Sequence, residues 1–216
     1  MALSQPDLWS AILNHVLPHR AQFDVTAEPP RNMTSFEDCL RREGDWTDTA
    51  ANQITMEYRK FLYLKAVQGG VLTPSEVVDQ AWHLHRCFPE AYRRFCAEVA
   101  GQDIPHQRGI PKAQADSSYA RLLAAYVREF DQTPSVEIWP SLAMLRREEQ
   151  SLRVMQVSLL VATTSVPLAA LSVHWFGSAH GWLLTGWFLI LGAGVLAGLI
   201  GVARSSASPA TIARCG

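Results

Sequence analysis

Between Val154 and Ala203 the sequence has no Asp, Glu, Lys or Arg, a gap of fifty residues. A helix on the surface of a globular domain keeps a polar face toward water, so this stretch is not an ordinary soluble helix pattern. The formal net charge of −1 over 216 residues hides the asymmetry. The first 153 residues carry 17 basic against 20 acidic side chains, a balance of −3, and lack the basic stripe that a nucleic-acid partner needs. Lysine is scarce, with only Lys60, Lys65 and Lys112. The four cysteines, Cys39, Cys87, Cys96 and Cys215, form no CxxC pair. The opening "MALSQPDLWSAILNHVL" is interrupted by Gln5, Asp7 and Asn14 and does not form the apolar core of a signal peptide. Both features lead to the expectation of reduced thiols in a cytosolic domain. Residues 1–145 have no sustained alternation and no Val/Ile/Thr strand runs, which argues against a sheet. GxSxG, P-loop, post-strand GxGxxG and HExxH patterns are all missing, so the commonest hydrolase, nucleotide-binding and zinc-protease signatures do not apply.

The charge-free region divides into "VMQVSLLVATTSVPLAALSVHWF" (154–176) and "GWLLTGWFLILGAGVLAGLIGVA" (181–203), joined by "GSAH". About 20 helical residues span the ~30 Å hydrocarbon core, so each segment is long enough for a transmembrane helix. Arg146, Arg147 and Arg153 precede the pair, Arg204 and Arg214 follow it, and the turn carries none. The positive-inside rule then predicts an integral membrane protein of the inner or plasma membrane, with two spans and both termini cytoplasmic. Gly194 and Gly198 stand at GxxxG spacing and suit close helix approach or self-association. The spans lack intramembrane charge, which fits an anchor in the lipid bilayer better than a transporter.

Residues 1–140 predict a soluble helical domain. Helical periods run through 7–17, 35–43, 47–67, a helix ending near Cys87, the segment after Pro89 up to Gly101, and 118–130. "TPSE" (73–76) suggests an N-cap at Thr73, proline at the first helical position and an acidic third residue. "PSVEIWP" (134–140) leads into a pre-membrane helix over 141–153, and 204–216 form a short cytoplasmic tail. The expected fold class is all-α: a cytoplasmic bundle of five or six helices followed by a two-helix transmembrane hairpin.

"MEYRKFLYLKA", "PSEVVDQAWHLHRCFPEAYRRFC", "GQDIPH" and "YARLLAAYVREFDQTPSVEIWP" together resemble a known family. It is the glycine-rich domain-containing protein-like family: the N-terminal domain of plant glycine-rich domain proteins and its bacterial membrane-anchored relatives. The similarity covers about 34–140. The chain departs from the pattern at Asp131, where bacterial members often have glycine, and at Gln107, where proline often follows the histidine. The resemblance implies this domain and the WHxH block as a candidate site; it supplies no reaction.

"VVDQAWHLHRC" (77–87) carries the chemistry worth weighing. Residues two apart on a helix point about 200° from each other, so His83 and His85 do not chelate one ion from a helix. Asp79 and His83, four apart, share a face and form a carboxylate–imidazole pair suited to a metal or to proton transfer. His106 lies on the loop after Gly101 and can fold back onto the hairpin; Cys96 lies on the second helix with Tyr92. The candidate metal ligands are therefore Asp79, His83, His106 and either His85 or Cys96, with zinc or iron suited to these donors. The competing role for Trp82, His85, Tyr92 and Cys96 is a hydrogen-bonded core. Two functions follow: a membrane-anchored binding or scaffolding module with a protein partner, or a metal-binding enzyme or metal sensor.

Overall fold

The computed structural model describes residues 3–18, 35–107, 109–161 and the single positions 163, 164, 171, 174 and 186. Residues 1–140 and 141–211 form two separate units. Among the described residues every regular element is helical.

In the first unit, α1 (Pro6–Asn14) starts with proline in its first turn, where the missing N–H costs no hydrogen bond. Next, α2 (Phe36–Gly44) opens on a reciprocal capping box between Ser35 and Asp38, with both bonds at 3.1 Å. It closes on Asp45 in the left-handed region (φ 54°). A Cβ on Gly44 would overlap the Trp46 indole, which is why the last helical residue is glycine.

The long helix α3 (Asp48–Gln68) is capped by Thr47 and stopped by Gly69. Tyr58, Phe61, Leu62, Tyr63 and Leu64 on it are fully buried, because it packs against α1, α2, α6 (Lys112–Phe130) and α4 (Glu76–Arg86). A central helix surrounded on several sides loses the polar stripe of a surface helix. After α4, the helix α5 (Pro89–Arg94) runs into a π-helical turn (Phe95–Ala100) that ends on left-handed Gly101. Phe95 and Cys96, neighbours in sequence, both face inward there.

The observed limits differ from the predicted ones in two informative places. The cap of α4 is Ser75, whose hydroxyl accepts from Val78 N at 3.3 Å, and not Thr73. Thr73 is drawn instead to the Ser118 hydroxyl on α6, a tertiary bond. The helix α6 starts at Lys112, six residues before the apolar period at 118 becomes visible. Asp131 caps it at φ 53°, in the conformation that glycine adopts without strain.

The N-terminus is tied down by a buried carboxylate. Glu129 on α6 accepts from Ser4 N (2.9 Å), Ser4 Oγ (2.7 Å) and Tyr63 OH (3.0 Å). Burial pushes its pKa up, but the Ser4 and Tyr63 hydrogen bonds and the Arg128 charge outweigh that, and the net shift is downward. A carboxyl depressed in the folded state contributes stability above its unfolded value, and that contribution is lost as pH falls through the folded one. Denaturant melts taken between pH 7 and pH 3 should therefore show stability falling below about 4.5. Glu129→Gln should cost about 2 kcal/mol at pH 7 and flatten the acid limb; an unchanged acid limb contradicts the assignment.

The transmembrane hairpin is overturned. Among the described residues no helix is long and apolar enough to cross a membrane. The helix through 142–161 carries Arg146, Arg147, Glu148, Glu149 and Arg153. The remainder of 154–176, almost all of 181–203 with Gly194 and Gly198, and the tail 204–216 lie outside the described residues. The integral-membrane localisation and the bilayer contact thus lose the two spans on which they rested.

Candidate functional site

The site is built on α4. Its buried face presents Val78, Ala81, Trp82 and His85 to the core, and one turn of its opposite face carries Asp79 and His83. Asp79 Oδ2 lies 3.3 Å from His83 Nε2. The loop after the π turn brings in His106, whose Nε2 is 3.2 Å from Asp79 Oδ1 and 3.0 Å from His83 Nε2. Asp79, His83 and His106 are the one group among the described residues whose potential ligand atoms all lie within 4.8 Å of one another.

Hydrogen bonding alone does not account for this convergence. Each imidazole nitrogen has a single in-plane lobe, either a proton or a lone pair, so it does not serve two partners in different directions equally. Here each Nε2 is close to both the other Nε2 and the carboxylate. The edge of a tetrahedron around zinc with bonds of about 2.05 Å is about 3.3 Å. The 3.0 Å between the two Nε2 atoms is near that edge, and the two nitrogens lie 3.2 and 3.3 Å from different oxygens of Asp79. Two imidazoles and one carboxylate also form the donor set of open non-haem iron(II) sites.

His106 is held in place from behind. Trp82 Nε1 donates to Tyr92 OH (2.8 Å), and Tyr92 OH donates to Ile104 O (2.6 Å), two residues before His106. Gln102 Nε2 donates to Ala66 O at the end of α3 (2.6 Å). The indole of Trp82 packs against the His106 ring with centroids 4.6 Å apart. Among the described residues the buried Nδ1 of His106 has no protein partner.

His85 and Cys96 do not join the group. His85 is fully buried, with Nδ1 2.8 Å from Tyr58 OH and the rings of Phe36, Tyr92 and Phe95 around it. Burial, reinforced by the charges of His15 and Arg59, pushes its pKa down to about 3 and keeps the ring neutral. Cys96, 6% exposed, contacts the Tyr92 hydroxyl and the Ile104 backbone, and burial pushes its thiol up. Both residues belong to the core that carries the loop, together with Trp82 and Tyr92. Cys39, Cys87 and Cys96 are free thiols.

Two clefts meet at the cluster. One, with a volume of about 290 Å³, is bounded by Lys65, Leu72, Trp82, Asp79 and His106. The other is bounded by Trp46, Glu43, Asp45, Asp79 and His83. Sequence reasoning passed over Lys65, although its position was visible: it follows Tyr58, Phe61 and Leu62 at helical spacing on the buried stripe of α3. Compared with protein-family models, curated proteins and solved structures, the chain matches none.

Proposed function

We propose that this chain is a metal-binding helical module in which Asp79, His83 and His106 hold one divalent transition-metal ion, zinc or iron(II). The observation that supports this is the convergence of both Nε2 atoms, 3.0 Å apart, on the Asp79 carboxylate, one ligand atom from each residue lying within 4.8 Å of the others. Three protein ligands leave at least one coordination position for water or a ligand, as in catalytic rather than structural zinc sites. Partial exposure of Asp79 (37%) and His83 (47%) gives that position access to solvent. The resemblance to the glycine-rich domain proteins rests on the same WHLH block and adds no reaction.

The test is metal analysis of the untagged full chain, with zinc and iron(II) titrations of the parent and of His83→Ala and His106→Ala. One equivalent of metal is expected. Losing a supporting partner behind a ligand typically costs 10–100-fold in affinity, so losing a ligand should cost more than about 100-fold. Helical circular dichroism should persist in both variants. A folded parent that takes up neither metal overturns the reading. That result would favour a binding or scaffolding module, to which the buried Trp82–Tyr92–Ile104 chain is also suited.

A further inference from the structure

Lys65 is the buried charge that the metal site does not use. Its side chain is 6% exposed and Nζ donates to Gly70 O at 3.0 Å. Among the described residues it has no carboxylate partner, and its other neighbour is the Trp82 ring, 5.6 Å from Nζ. That same indole packs against His106. Trp82 is thus a common wall between an ammonium and a proposed metal ligand, and all three line one cleft. An ammonium buried without a counter-charge is costly, and burial accordingly lowers the Lys65 pKa.

The charges around the cleft define its occupant. A dication held by one carboxylate, Asp79, retains one positive charge. Lys65 supplies a second, and the exposed Glu76 at the rim opposes one. The balance is a single positive charge, which one monoanion neutralises. Leu72, Val71, Pro74 and Ile110 complete an apolar wall, and the volume of about 290 Å³ has room for a small organic guest.

We propose that this cleft binds a small monocarboxylate with a short apolar body, its carboxylate bound at the metal and favoured by the charge of the Lys65 ammonium that lines the same cleft. This rests on the metal reading above. The test uses the full chain loaded with cobalt(II), whose visible spectrum reports coordination, titrated with butyrate and separately with the size-matched neutral butyramide. Butyrate should alter the spectrum saturably and butyramide should not. Lys65→Met should keep the cobalt spectrum and weaken butyrate binding about tenfold or more. If Lys65→Met does not fold, the butyrate–butyramide comparison on the parent decides. A cobalt spectrum indifferent to butyrate, or one answering equally to butyramide or in Lys65→Met, overturns the monocarboxylate proposal while leaving the metal site standing. Failure to form a cobalt spectrum overturns both.

Discussion

Glu57→Leu should destabilise the protein by about 3 kcal/mol, the cost of removing the shared acceptor from a part-buried, hydrogen-bonded ion pair. For a unit of this size that corresponds to a fall in Tm of about 10 °C. Glu57 Oε1 accepts from Lys60 Nζ (2.9 Å) and Tyr126 OH (3.1 Å), and Oε2 accepts from Trp139 Nε1 (2.7 Å). Lys60 also donates to Tyr126 OH at 2.6 Å. Both members of the pair are 12% exposed. Burial disfavours the charged Lys60, but the hydrogen bonds to Tyr126 and Glu57 win and its pKa is raised. One carboxylate therefore ties α3 to α6 and to the segment after it. Leucine leaves an ammonium, a phenol and an indole N–H without their acceptor at once. Glutamine keeps an acceptor oxygen and should recover part of the loss. Urea melts followed by circular dichroism measure the effect, and a loss below about 1 kcal/mol would contradict this account.

Tyr92→Phe should lower metal affinity by about 10–100-fold although no ligand is touched. The hydroxyl accepts from Trp82 Nε1 and donates to Ile104 O. Without it the Ile104 carbonyl loses its anchor, and His106, two residues on, loses its fixed approach to Asp79 and His83. A stability cost of about 1–3 kcal/mol accompanies the two unpaired groups. Zinc competition with a chromophoric chelator, at a temperature where the variant is fully folded, separates the two effects. A purely structural role predicts lower stability with unchanged affinity; a positioning role predicts that both fall.

The helices were legible because their signals are local. Ser35 and Asp38, or Asp79 and His83, lie three or four residues apart, and helical geometry alone brings them together. The two-residue separation of His83 and His85 into opposite environments follows from the same period: one ring faces a cleft and the other lies in the core. Charge-free composition, by contrast, is a weaker guide. The helix through 142–161 is charged over its first half, and no described helix reaches the length and apolarity of a span.

The sequence by itself determined the helical segments, the shared face of Asp79 and His83, and the availability of His106 after Gly101. Only the tertiary structure decided that His106 joins that pair, that His85 and Cys96 are buried, and that Lys65 faces the same cleft across Trp82. The physical reason is the range of the interactions. Helix periodicity and capping are satisfied within a few residues. The approach of His106 depends on a chain of hydrogen bonds from Trp82 through Tyr92 to Ile104, which forms only once α4 and α5 are packed together.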